Sequence, residues 1–323
     1  MRRVYAAGVC AVLVLAGAPA FAADIPPAII VHAGKADSAS HALAVQFAEA
    51  LAEGNNALII QVEESQGSVQ NIIDARGRGP NYVFTASPSL IAQARRGDKP
   101  FPRDKRYRNI RALFPLPPLT MHWVVRADAG VSDFAGLAGQ PFVPGAKGSF
   151  GERQTASMLH ALGLEQRAEL IDIDAAGAQA ALGGKQVTGM ALAGPFPLPA
   201  ILDLAKTTPI RVLSLSPPEL AKVLAADDSL VAQIIPKGTY PGLDDDVTSI
   251  ALPAGAYTTA QMSDATAYAI VKAFWSEKRA LGQRNRPWDS VAPGSLGLLG
   301  VKLHKGALRY YREAGIKVPT ALR

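Results

Sequence analysis

The chain predicts an open α/β fold in two lobes, and three observations carry that reading. Short apolar runs alternate with amphipathic helical segments, the rhythm pauses at a proline-rich stretch and then resumes, and 323 residues exceed what one hydrophobic core comfortably serves. In the first lobe, residues 28–32 read as a strand, followed by a helix carrying Leu43, Phe47 and Leu51. Residues 57–62 form a second strand leading to a helix from Ser68. Residues 81–85 form a third, leading to a helix from Ser87-Pro88, where proline suits the first helical turn. Pro115, Pro117 and Pro118 mark a crossing. Beyond it, residues 122–126 read as a strand, and a helix follows that carries Met158, Leu159 and Leu162. Residues 169–173, a helix from Ala175, residues 187–192, a helix after Pro199 and residues 210–215 continue the alternation.

The turn-rich stretch Lys237-Gly238-Thr239-Tyr240-Pro241-Gly242 marks a second crossing, ahead of the apolar run 249–252. Thr258 and Gln261 have capping-box spacing and predict a helix to about Leu281. A last helix passes through Tyr310 and stops at Gly315. The expected organisation is a signal segment 1–23, lobe 1 from 24–121, lobe 2 from 122–247, and a return to lobe 1 over 248–323. A chain that builds one lobe, crosses, builds another and returns is hinged around a cleft.

Met1-Arg2-Arg3 is a short positive region, residues 4–19 are almost wholly apolar or small, and Ala20-Phe21-Ala22 has the form of a signal-peptidase site. Export with cleavage near Ala22 is expected, and the run is too short and rich in Ala and Gly for a spanning anchor. Cys10 lies inside this segment, so the mature chain has no thiol, hence no disulfide, thiolate zinc site or cysteine nucleophile. Losing Arg2 and Arg3 lowers the formal charge from +6 to +4, mildly basic, and no nucleic-acid motif accompanies it.

The stretch GAKGSFGE at 145–152 superficially suggests chemistry. The phosphate-binding loop needs its lysine after the second glycine, and the hydrolase elbow needs Gly-x-Ser-x-Gly; neither spacing is present. What remains is a Gly-rich entry to a helix, with Ser149 and Glu152 spaced as a capping box. Four loops share this character: Gly34 to His41, including Lys35, Ser38 and Ser40; Gly67-Ser68; Thr85-Ala86-Ser87; and Gly148-Ser149-Phe150-Gly151. Helix starts carry free N–H donors and partial positive charge, so several meeting in one cleft would hold a carboxylate or phosphate.

Several stretches occur in the order found in the TAXI subfamily of solute receptors for tripartite ATP-independent periplasmic (TRAP) transporters, which the chain resembles over most of its mature length. They are Gly67-Ser68-Val69-Gln70-Asn71-Ile72, IRALFPLPPLTMHWVVRADAGVSDFAGLAGQPF, GSFGE, AGPFPLPAILDLAKTTPIRVL, IPKGTYPGLDDDV and ALRYYREAGI. The resemblance implies a two-lobed, type II-like periplasmic-binding-protein fold that closes on a small anionic organic solute, a dicarboxylate or a glutamate-like molecule. Delivery would be to an ion-driven TRAP permease. It adds Val69 and Gly194-Pro195-Phe196 to the expected ligand-binding residues and implies a monomeric periplasmic protein with no cofactor, metal or catalytic residue. One departure concerns the first loop, where the family's Thr-Tyr-Tyr is missing: Ser40 and His41 replace the tyrosines, while Lys35 and Asp37 replace glycines. Ligand identity is therefore not carried over.

Two rival readings remain open at this level. An exported hydrolase finds no support in Ser-x-x-Lys, Gly-x-Ser-x-Gly or His-Glu-x-x-His, all absent. A ligand-presenting sensor would share the fold. Asp244-Asp245-Asp246 lacks the alternation of a calcium loop, and His32 with His41 lacks carboxylate partners in the pattern. Residues 95–111 carry eight basic and two acidic residues, read as a solvated loop or a docking surface.

Overall fold

Strand β1 (Ile29–His32) is covered on both faces, as a parallel strand at the centre of an α/β layer must be. In the computed structural model, which describes residues 28–36 and 38–323, it lies between β2 (Ile60–Glu63) and β3 (Tyr82–Ala86), parallel to both. The expected signal segment falls outside the described residues. Helices α1 (Ala39–Gly54), α2 (Ser68–Asp74) and α3 (Pro88–Arg96) follow these strands, each leaving a strand end through a short polar loop. The second α/β layer contains β5 (Pro141–Val143), α4 (Phe150–Leu162), β6 (Glu169–Leu170), α5 (Ala175–Gly183), β7 (Gly189–Gly194), α6 (Pro199–Thr207) and β8 (Ile210–Val212). After these come α7 (Pro217–Ala226) and β9 (Val231–Ile235), which the apolar rhythm did not predict. Helices α8 (Asp264–Arg284) and α9 (Lys305–Glu313) close the chain. Among the described residues no helix is long and apolar enough to cross a membrane.

Two long strands join the layers. β4 (Ile110–Arg126) and β10 (Val247–Thr259) run antiparallel in the middle of one ten-stranded sheet ordered β2-β1-β3-β10-β4-β7-β5-β6, with β8 on β4 and β9 on β10. Their ends belong to different cores. Ile110 to Leu116 of β4 and Ala256 and Tyr257 of β10 pack with Phe47, Phe274 and Trp288. Met121, Trp123 and Val125, with Ile250, pack instead with Phe134, Phe142 and Met158, while Val124 and Val247 join Ile201 and Tyr240 in a third cluster. Stacking is tightest in the first core, where the rings of Phe114 and Phe274 lie 4.0 Å apart.

Three local expectations are corrected here. The strand placed at 122–126 begins at Ile110 and runs through Pro115, Pro117 and Pro118. It tolerates them because Leu252 pairs with Leu119 and Ala254 with Leu116, so the register slips just where Pro117, Pro118 and Pro253 offer no N–H to the ladder. The turn at 237–242 does not make the passage between layers; it buries Tyr240 in the third cluster, and β10 makes the passage. The helix expected from Thr258 begins after Ser263, whose Oγ accepts from the Thr266 N–H at 3.0 Å. Thr258 stays in β10, its hydroxyl donating to the Tyr82 carbonyl at 2.7 Å, because the β-branched run prolongs the strand.

Candidate functional site

A cavity of about 320 Å³ opens where β4 and β10 pass from one core to the others. One wall comes from helix starts and the loop ahead of α3. Ser38 caps α1, its Oγ accepting from the His41 N–H at 3.2 Å, and Ser87 caps α3, accepting from the Leu90 N–H at 3.4 Å. α2 starts at Gly67 with φ of 99°, a conformation that favours glycine, and has no side-chain cap. The wall includes the hydroxyl-bearing residues Ser40, Ser68, Thr85 and Ser87. Ser40 Oγ lies 3.1 Å from Ser38 Oγ, Ser87 Oγ lies 3.1 Å from Ser89 Oγ, and Thr85 donates to the Ala33 carbonyl at 3.3 Å. Ser68 Oγ has no hydrogen-bond partner among the described residues.

Of the expected site residues, the structure brings Ser40, Ser68, Thr85, Ala86, Ser87 and Pro195 to this cavity. Others stand one layer behind. Gly34 is buried beneath the serines, and a Cβ there would come within 2.6 Å of Ser38 Oγ and 2.7 Å of Ser40 Oγ. Lys35 is exposed and offers its carbonyl to Ser38 Oγ, His41 is half-buried, and Val69 packs against the first core. Gly67 and Gly194 flank the lining. Phe196 faces a separate cavity with Pro197, Arg286 and Asp289.

The Gly148–Gly151 loop also stays off the cavity. Ser149 is the cap that its spacing predicts, its Oγ accepting from the Glu152 N–H at 3.1 Å. The Glu152 carboxylate, however, takes the Gly148 N–H at 2.5 Å, so the donor expected to meet an anion already has an internal one. Phe150 packs into the second core, and the site of a Cβ on Gly151 lies 3.9 Å from Ala193 Cβ, two residues before Pro195.

The remaining lining is apolar: Ala39, Leu43 and Leu90 from α1 and α3, Leu116, Pro117 and Leu119 from β4, and Leu252, Pro253 and Ala254 from β10. Sequence reasoning passed over these residues. The one available signal was the cluster of prolines at 115–118, which marked the seam without showing that its leucines face a hollow.

Asn71 fixes the strand ends beside the hydroxyl wall. Fully buried, its Nδ2 donates to the carbonyls of Ala33 at 3.0 Å, Thr85 at 3.1 Å and His32 at 3.3 Å, and its backbone carbonyl accepts from Tyr82 OH at 3.0 Å. The His32 ring is buried, with Nε2 2.9 Å from the Glu63 carboxylate and Nδ1 3.6 Å from that of Asp74. On the other side, buried His122 holds the stretch containing Pro195. Its Nδ1 lies 3.1 Å from the Thr120 carbonyl and must carry the proton, so Nε2 accepts from Tyr240 OH at 3.0 Å. The Tyr240 oxygen in turn accepts from the Leu198 N–H at 2.9 Å. Burial pushes the His122 pKa down to about 4, keeping the ring neutral.

The fold is that of periplasmic solute-binding proteins. The chain is similar to a TctC solute binding protein from Polaromonas, with a TM-score of 0.55 and 16% identity over 80% of this chain and 88% of that one. MatC from Rhodopseudomonas palustris, solved with bound malate, gives a TM-score of 0.49 and 12% identity over 88% and 98% of the two chains. The periplasmic binding protein BugD gives 0.47 and 14% over 91% and 99%. These are binding proteins rather than enzymes. The profile that matches residues 33–315, the greater part of the sequence, is that of the NMT1-like family, and the chain belongs to it.

Proposed function

We propose that the protein is an exported solute receptor that captures a small carboxylate in the seam cavity and delivers it to a membrane permease. The observation that carries this reading is the gathering of Ser40, Ser68 and Ser87 from the starts of α1, α2 and α3, with Thr85 from the end of β3, along a cavity crossed by both inter-layer strands. A carboxylate placed there would accept from Ser68 Oγ and from first-turn N–H groups, and the positive ends of the helices would favour its charge. The reading involves no reaction. Bending at the seam would bring the second layer's Gly148–Gly151 and Gly194–Phe196 stretches toward the ligand, and binding would favour the closed arrangement by its extra contacts there. The likeness to TAXI receptors supports a TRAP-type permease as recipient, and the leader supports a periplasmic protein cleaved near Ala22.

Calorimetry against a panel of small carboxylates tests this. At least one should bind with the mature protein, and Ser68→Ala should weaken it roughly tenfold or more, since a hydrogen bond to a charged group is worth about 1.5–3 kcal/mol. A panel with no binder, or a Ser68→Ala protein with unaltered affinity, would remove this cavity from the function.

A further inference from the structure

We infer that the ligand is a monocarboxylate with an apolar body, not a dicarboxylate or an amino acid. The inference rests on reading the cavity as a carboxylate site and follows from what faces the hydroxyl wall. Among the described residues no charged side chain lines the cavity. A second carboxylate would lose its hydration without meeting a cation, and an ammonium group would find no carboxylate; either burial is costly. The lining contributed by the two long strands is Leu116, Pro117 and Leu119 of β4 with Leu252, Pro253 and Ala254 of β10. Both prolines lack an N–H, so even the backbone there has two donors fewer for a polar tail. Leu119 and Leu252 pair in register and are each only half-buried, which leaves apolar surface for a guest to cover. Lys35, one of the expected ligand-binding residues, is exposed, and neither it nor His41 lines the cavity.

Calorimetry with propanoate, butanoate, pentanoate and hexanoate, set against succinate, glutarate and glutamate, tests this on the unaltered mature protein. Kd should fall about fourfold for each added methylene, the equivalent of about 0.8 kcal/mol, until the cavity is filled. Glutarate should bind at least about tenfold more weakly than pentanoate. Dicarboxylates or glutamate binding as tightly as the matched monocarboxylates would overturn the inference while leaving the receptor reading intact. Failure of every acid would overturn both. Leu119→Asn should weaken hexanoate about tenfold and leave propanoate within about twofold; an equal loss for both acids would show that the tail does not lie on the leucine wall.

Discussion

Replacing Asn71 by leucine removes the buried amide that ties the end of β1 to the end of β3. Three carbonyls face Nδ2 at 3.0, 3.1 and 3.3 Å, but an amide has two hydrogens, so the loss amounts to two full hydrogen bonds with the third acceptor sharing. A buried acceptor stripped of its donor costs about 1–3 kcal/mol, and the apolar gain of the leucine offsets part of the total. The expected destabilisation is therefore about 3 kcal/mol. For a chain of this size that corresponds to a fall in Tm of roughly 6 °C. Thr85 is both one of the three acceptor residues and part of the cavity wall, so ligand affinity should drop about tenfold in the same protein. Guanidinium unfolding followed by tryptophan fluorescence gives the first quantity and calorimetry the second. A loss of stability below about 1 kcal/mol, together with unchanged affinity, would refute the claim that this amide sets the geometry of the wall.

Two further predictions concern the elements on either side of the seam. The His122 pKa is depressed in the folded chain to about 4 from 6.5, so its neutral form contributes stability that is fully present above pH 6.5 and is lost as pH falls through 4. Acidification to pH 4 should cost about 3 kcal/mol through this residue alone; His122→Gln should show a shallower fall in Tm over that range, and an identical slope would exclude His122 as its source. Gly34→Ala places a Cβ within 2.6 Å of Ser38 Oγ and 2.7 Å of Ser40 Oγ. Both hydroxyls must turn away, so ligand Kd should rise several-fold while stability changes by less than about 1.5 kcal/mol, and calorimetry showing an unaltered Kd would separate Ser40 from binding.

What the sequence made legible was local. The cap at Ser149 depends on a hydroxyl and the three residues after it, the helix start at Ser87-Pro88 on a proline suited to the first turn, and the first three strands announce themselves as short apolar runs between polar loops. What it hid depends on pairing. Pro115, Pro117 and Pro118 read as breakers because a lone strand gains nothing from them, whereas β10 slips its register beside Pro117 and Pro118 and pairs Gly255 with Pro115. Beside the same slip Leu119 and Leu252 are left half-buried along a hollow, which no periodicity distinguishes. Asn71 sits in a helix among apolar neighbours, and only the convergence of two strand ends on its amide gives it a role. At 145–152 the capping serine was legible, but Glu152 reaching one residue further back to Gly148 was not, since it follows from the turn in which the Ser149 N–H donates to the Ala146 carbonyl instead.

The slipped register between β4 and β10 has a mechanical consequence. Between Leu252 and Ala254 the ladder breaks beside Pro117, Pro118 and Pro253, so under the proposed closure flexing the two strands here would sacrifice little bonding. Residues along this line also line the hollow. On that reading a guest would press directly on the pivot, and occupancy would be converted into shape without any relay of side chains between a pocket and a distant joint.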